Sequence, residues 1–503
     1  MRSSAVSEER FRVIRSRAIV VVFLWLVVLG AGVLYPFFTL FHAGFSISLL
    51  FAPEVLRTAE RTAVTSLSAL VVAFLISFPL ARRIRGTAEG VLQFLWILPS
   101  FLYALFVIVL FRQFRQFDPL FELYSMRTVW VAWVLVAIPF LSVSLARAWR
   151  DLDPREDEMM RVLGANRWQR WIRYEIPKMA PTIRSALLHQ MWLYLTSFTL
   201  VVILGGGPPN ETLEVGVYSS VRLDEWNVAR ALAFSIWQGL LLVVLRLALS
   251  RSRSSEMTVG LEWARRGASG SRGLHCGRWV LGALVLMIAW LVGTTSGLSA
   301  ALFSGVTLSL AVAVISLCFS VLVFELKQPL LAEIGAWLSP MVFALAWWKA
   351  YAFSASPWLL CIGIQVVLFS PWVARTFFPL LARARVAELE AVRSLGSHPL
   401  RAWFHVEWPR IRESAFGLFA LIFGLSLSEV SAVILFSRGS FEPLPVWIQN
   451  QLSRFQFGPA FAGTLALLCV SGFVFLAPFL LQGRHGDSDE NNENDPGLPN
   501  LSG

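Results

Sequence analysis

The sequence predicts an all-α polytopic membrane protein of twelve transmembrane helices, arranged as two parallel six-helix repeats. Three observations predict it. Of 503 residues, 56% are apolar and only 15% are charged, against about 25% charged in an ordinary soluble domain. Apolar runs recur at the length of a membrane-crossing helix, about 20 residues, rather than that of a barrel strand. One polar loop sequence occurs twice in register. A mean hydropathy of +0.64 agrees with the first observation. This balance excludes a soluble enzyme, a disulfide-rich secreted module and a disordered scaffold as the main body.

The elements follow in order. Residues 1–17 form a basic N-terminal segment with Arg10, Arg12, Arg15 and Arg17. The apolar run after it is longer than a signal-peptide core and lacks a small-residue cleavage site, so it reads as an uncleaved first span. The first repeat, 18–250, carries candidate spans near 18–41, 60–81, 90–111, 128–147, 183–204 and 229–249. A Gly/Ser/Arg-rich stretch, 251–277, reads as a cytoplasmic linker. The second repeat, 278–482, carries spans near 279–297, 302–324, 331–352, 357–378, 413–436 and 460–482. The tail 483–503 is acidic, almost free of apolar residues, and expected to be disordered.

Charge sets the orientation. The net charge is +11 and all but three cations (Lys178, Lys327, Lys349) are Arg. With the N-terminus inside, 33 of the 43 cations fall on cytoplasmic loops and flanks, the asymmetry expected of an inner-membrane protein with both termini cytoplasmic. The arginines lie in short loops between apolar runs, which is a topology signal and not a nucleic-acid footprint.

The duplicated loop reads EMMRVLGANRWQRWIRYEIP from Glu158 to Pro177 and EAVRSLGSHPLRAWFHVEWP from Glu390 to Pro409. Glu158, Arg161, Gly164, Trp171, Glu175 and Pro177 each recur 232 positions later, at Glu390, Arg393, Gly396, Trp403, Glu407 and Pro409. Each copy follows the fourth span of its half, so the halves are parallel repeats, an arrangement that builds a pathway at their interface. Residues 154–163 predict a helix opened by Pro154 and acidic residues. Gly164 ends it in the left-handed conformation. A second helical segment, 166–176, carries Trp168, Trp171 and Ile172 and is limited by Pro177. The product is a helix–Gly–helix elbow. A single such loop would read as amphipathic helices resting on lipid, but two in register read as paired sockets for a two-fold partner.

On these residues the chain resembles the permease subunits of bacterial ABC importers, whose signature loop it matches at Glu, Gly and Pro. The two-copy arrangement resembles the thiamine and iron(III) permeases. Leu204 to Tyr218 (LGGGPPNETLEVGVY), His405 to Pro409 and Leu444 to Gln451 look most like the thiamine branch. Met159-Met160 and Ala391-Val392 depart from the family's Ala-Ala. The resemblance implies two copies of an ATP-binding subunit, one docked on each loop, and a periplasmic solute-binding protein. It makes thiamine the first expected solute and ferric iron the second. The loops 205–228 and 437–458, with Gly205, Gly206, Gly207, Tyr218 and Trp447, are the expected docking surface for the binding protein.

The chain supplies no chemistry of its own. A Walker A loop needs Gly-Lys-Ser/Thr, and the three lysines follow Pro, Leu and Trp. The six histidines form no metal motif. Cys276, Cys318, Cys361 and Cys469 form no CxxC pair and predict neither disulfide nor zinc. Gly205-Gly206-Gly207 before Pro208-Pro209 reads as a tight turn, not a phosphate cradle. No cofactor is expected, and ATP hydrolysis is left to a partner. Partners are therefore proteins and membrane lipid, not nucleic acid.

One intramembrane residue stands out. Glu429 lies in the apolar run LIFGLSLSEVSAVILF, where a carboxylate is costly and marks function by default. Its repeat mate is Ser197. A carboxylate facing the pathway suits a cationic solute; a carboxylate hydrogen-bonded to a neighbouring helix serves structure alone. Both readings stay open at this point. Lys349, after Trp347-Trp348, reads as a snorkelling end residue. The rival class, an ion-gradient transporter, expects several buried ionisable residues, and the sequence offers essentially this one.

Overall fold

The computed structural model describes residues 21, 23–24, 26–42, 46–84, 87–114, 122–222, 227–250, 271–384, 408–437 and 441–482. These form helices joined by short turns; among them the only β-pairing is an isolated bridge between Gly207 and Asn210. In chain order they are α1 (Leu26–Phe41), α2 (Pro53–Arg83), α3 (Thr87–Ile97), α4 (Ser100–Phe114), α5 (Met126–Arg150), α6 (Pro154–Val162), α7 (Arg167–Leu195), α8 (Thr199–Gly205), α9 (Leu213–Arg222) and α10 (Val228–Ser250). Then follow α11 (Ser271–Thr294), α12 (Leu298–Glu325), α13 (Pro329–Glu333), α14 (Pro340–Tyr351), α15 (Pro357–Ala384), α16 (Trp408–Ser428), α17 (Leu444–Ser453) and α18 (Phe457–Gln482).

Six of these, α2, α5, α10, α12, α15 and α18, are long and apolar enough to cross a membrane, and the pair α7 and α8, bent by 56°, makes up to seven. The sequence predicts twelve spans, and several of the others are present as shorter or interrupted helices. The third predicted span breaks into α3 and α4 at Leu98-Pro99, and the ninth into α13, a 3-10 turn and α14 at Ser339-Pro340. Proline lacks the N–H that would continue a helix and biases the residue before it toward extended backbone. The eleventh ends at Ser428, with Glu429 to Phe436 in turns. The predicted linker also starts its helix early: α11 begins at Ser271, inside 251–277. The N-terminal segment 1–17 and the tail 483–503 lie outside the described residues.

The core runs through the whole bundle rather than splitting at the linker. Of the six long helices α5 is the most buried and α2 the most exposed, so α5 is the interior post and α2 an outer wall of the bundle. The N-terminal helices reach into the C-terminal set at several points. Gly32 and Ala31 of α1 offer their carbonyls to the Trp347 indole and Tyr351 hydroxyl of α14, each at 2.6 Å. A π-helical stretch over Leu26–Leu34 includes both carbonyls. The aromatic side chains at the end of α14 thus hold α1 against the other half of the chain.

Glu89, in the first turn of α3, ties that helix to the end of α5. Its carboxylate accepts from Arg150 at 2.5 and 2.8 Å and lies 3.5 Å from Arg147. The Arg150 hydrogen bonds, with both positive charges, hold the carboxyl below its ordinary value of 4.5 despite burial. A depressed folded pKa contributes stability above the unfolded value and loses it as pH falls through the folded one. Glu89→Gln is therefore expected to lower the melting temperature in detergent by a few degrees at neutral pH. The two melting curves should converge below about pH 4.5. Parallel curves down to strong acid would show that the pair contributes nothing through its charge.

Candidate functional site

The first elbow is built as its residues dictate. Asp153 caps α6 by accepting the Arg155 N–H at 2.9 Å, and Pro154 opens the helix. At the far end, Gly164 has φ +78. Its N–H reaches the Arg161 carbonyl and the Ala165 N–H reaches the Met160 carbonyl, both at 3.0 Å, the paired bonds of a Schellman stop. A capping box follows, Asn166 and Gln169 exchanging bonds at 3.0 and 2.8 Å. Asp157 then joins the two arms, bonding Arg161 at 2.8 Å within α6 and Arg170 at 2.7 Å across the turn. Tyr174 adds a bond to the Asp153 carbonyl at 2.9 Å, and Lys178 an ion pair with Glu156 at 2.9 Å. Burial, and then the nearby carboxylates led by Glu156, push the Tyr174 hydroxyl pKa up.

Pro177 does not limit the second arm as the sequence suggests. The chain runs from Arg167 through a π-helical turn, Trp171–Glu175, straight into Ile176–Leu195. The wider turn accommodates the proline near the start of the following α-helical segment, where its missing N–H is tolerated. The elbow is thus a rigid extension of α7. It is braced to the ends of α2 and α5 by Arg82, which pairs with Glu175 at 3.2 Å and lies 4.7 Å over the Trp149 ring. A cleft of about 690 Å³ separates the elbow from these helix ends. Outward, the elbow shows Val162 (88% exposed), Leu163, Met159 and Trp168, an apolar face on an otherwise charged element. Glu158 and Arg161 are exposed beside it. Of the second copy, Glu390, Arg393 and Gly396 lie outside the described residues; Pro409 is exposed in the first turn of α16.

The helix interruptions gather polar groups inside the bundle. Ser197 lies at the bend between α7 and α8 and accepts the Trp133 indole N–H at 3.1 Å. Glu429 lies at the end of α16, where it accepts the Ser431 hydroxyl and the Ala432 N–H. A further contacting pair in the first set has its counterpart 232 positions later in the second. Trp133 stacks on Tyr194 at 4.9 Å, and the Tyr194 hydroxyl donates to the Trp133 carbonyl at 2.8 Å. At the matching places Gln365 accepts the Ser426 hydroxyl at 2.5 Å.

Glu214 is the carboxylate that sequence reading passed over. It sits in α9, wholly buried. It accepts the Met341 N–H at 2.9 Å, the Ser339 hydroxyl, and the Gln238 amide at 3.2 Å. It therefore caps the N-terminus of α14 from the other half of the chain. Its signal was present, a Glu in an otherwise apolar LEVGV run, but its partner lies 127 positions away.

The Gly205 to Gly207 turn is as tight as expected. Gly206 and Gly207 have φ +77 and +92, and a Cβ on Gly205 would meet the Asn210 carbonyl. Thr128 anchors the turn at the Leu204 carbonyl, Thr62 at the Leu213 N–H, and Arg61 at the Pro209 carbonyl. The turn then re-enters the bundle as α9. Two residues expected on a docking surface are instead buried: Gly205, against Asn210, and Trp447, at 5% exposure in α17. Tyr218 is half-buried against Phe198. Gly206, exposed, and Gly207, half-buried, are the members of the expected surface that reach the outside most directly.

Apolar helices closed around buried carboxylates, with a braced apolar-faced elbow outside them, fit a membrane-embedded subunit with an exposed docking face. Residues 66–219, from α2 through the elbow to α9, match the family described as the binding-protein-dependent transport system inner membrane component. The chain is 24% identical over 380 residues to the thiamine transport system permease protein ThiP of Brucella abortus (strain 2308), covering 67% of this chain and 69% of that one. It is 23% identical over 391 residues to ThiP of Haemophilus influenzae, covering 68% and 71%. The sulfate transport system permease protein CysT of Escherichia coli (strain K12) is 26% identical over 126 residues, 25% of this chain and 46% of that one. Over residues 66–219 the chain thus resembles the permease components of binding-protein-dependent importers, and along two thirds of its length it resembles the thiamine permeases. By its description, the matched family is an inner-membrane component of transport systems that depend on a binding protein.

Proposed function

We propose that the chain is the fused permease of a thiamine importer. Its twelve membrane segments form two parallel six-helix repeats with both termini in the cytoplasm. The elbows around Gly164 and Gly396 each receive one of two ATP-binding subunits, and a periplasmic solute-binding protein delivers the solute near Gly206 and Gly207. The observation that carries the solute is the reach of the likeness: the thiamine permeases match along two thirds of both chains, the sulfate permease along a quarter of this one. The exposed apolar face of the first elbow supports its docking role, since an isolated apolar patch on a charged element marks a protein interface.

Glu429 supports a cationic solute, because a carboxylate at an interior helix break offers both charge and backbone carbonyls to a positive group. The test is purification of the tagged chain from native membranes, with identification of its partners, followed by uptake assays with thiamine, ferric iron and sulfate. A co-purifying Walker-motif ATPase and uptake of thiamine alone are expected, with Glu429→Gln slowing uptake severalfold. Uptake of ferric iron or sulfate in its place overturns the thiamine assignment, and absence of any ATPase after crosslinking at the elbows overturns the importer.

A further inference from the structure

Five aromatic rings run in an unbroken chain across the seam between the N-terminal and C-terminal helices. Trp96 of α3 and Phe140 of α5 have centroids 5.3 Å apart; Phe140 and His189 of α7 are also at 5.3 Å. His189 then meets Trp372 of α15 at 5.1 Å, and Trp192 lies 6.1 Å from His189 and 6.3 Å from Trp372. Phe140 and Trp372 stand 232 positions apart, so the two flank His189 from equivalent places. Phe140 is buried, but Trp96, His189, Trp192 and Trp372 are only half-buried, so their surfaces are not sealed into the core.

The depth of this cluster is informative. At 1.5 Å per residue, His189 lies about 9 Å beyond the start of the predicted span at 183, inside a hydrocarbon core about 30 Å thick. Ser197, the mate of Glu429, stands at the bend just past the end of α7, roughly 12 Å farther along the chain direction. A positive solute moving from the Glu429 level toward the elbow would leave the carboxylate and meet π faces. Ring faces attract cations through the aromatic quadrupole, most strongly on Trp, without the desolvation cost of a second fixed charge.

We infer that Trp372, Trp192 and His189 form a stacking station for a flat heteroaromatic cation inside the permease, a reading that rests on the thiamine assignment. The test uses the full chain in lipid nanodiscs, with bound radiolabelled thiamine and tryptophan fluorescence followed as thiamine is raised to millimolar levels. Saturable binding is expected, with a neutral aminopyrimidine failing to compete. Trp372→Leu should weaken binding about tenfold, the size of one partly desolvated cation–π contact, and Trp372→Phe by much less. Should Trp372→Leu fail to insert, Trp192→Leu, on a different helix, is expected to weaken binding likewise. Thiamine uptake in cells by the wild type, with leucine variants that bind as wild type, overturns the stacking station and leaves the thiamine assignment standing. No thiamine uptake by the wild type overturns both.

Discussion

Glu214→Ala is expected to cost on the order of 3 kcal/mol of stability. The substitution removes the acceptor of three donors at once: the Met341 N–H, the Ser339 hydroxyl and the Gln238 amide. All three lie in a buried region that water does not reach, so their hydrogen bonds are lost rather than exchanged. The Met341 N–H belongs to the first turn of α14, where the helix end itself favours a negative group. The loss falls on the joint between α9 and α14, hence on the seam between the two halves of the chain. Thermal unfolding in detergent micelles should show a large drop in melting temperature. Glu214→Gln should show a smaller one, because its side-chain carbonyl still accepts the Met341 N–H. A melting temperature unchanged in Glu214→Ala would sink the idea that this carboxylate holds the seam.

Gly164→Val is expected to reduce ATP-driven uptake about tenfold while the chain still inserts in the membrane. The position has φ +78, and no atom lies within 4 Å of where a Cβ would stand, so the requirement is conformational and not one of space. A left-handed residue other than glycine costs roughly 1–2 kcal/mol, and a β-branched one is a true outlier there. That strain concentrates on the Schellman stop, whose loss frees α6 from the angle that Asp157 and Arg170 fix. Gly164→Asn should restore most of the rate, since asparagine tolerates this conformation. Uptake rates of the three proteins at equal membrane abundance decide the matter. If valine matches glycine, the turn at 164 has no part in coupling.

Local features were legible in the sequence because their causes are local. The elbow follows from Pro154, the acidic first turn and Gly164, all within eleven residues. The Gly205 to Gly207 turn follows from three consecutive glycines. Helix breaks at Pro99 and Pro340 carried a signal as well, but a hydropathy window averages over a single proline and reports one continuous span. Pro177 was misjudged for the converse reason: the π-helical turn before it lets the helix pass through, and π-turns have no side-chain signature. Glu214 and the ring chain through His189 were out of reach altogether. Their meaning depends on Ser339, Met341 and Trp372, brought alongside by packing across well over a hundred residues of chain.

The grip of Trp347 and Tyr351 on α1 also has a temporal side. The acceptors, Ala31 and Gly32, leave the ribosome first, and their donors follow 315 to 320 residues later. At about 5–20 residues per second, α1 waits roughly 15–60 s in the bilayer before its partner exists. During that interval the Ala31 and Gly32 carbonyls lack the two donors they finally meet. α1 is thus made long before the side chains that grip it, and α14 acts as the clasp that closes on it.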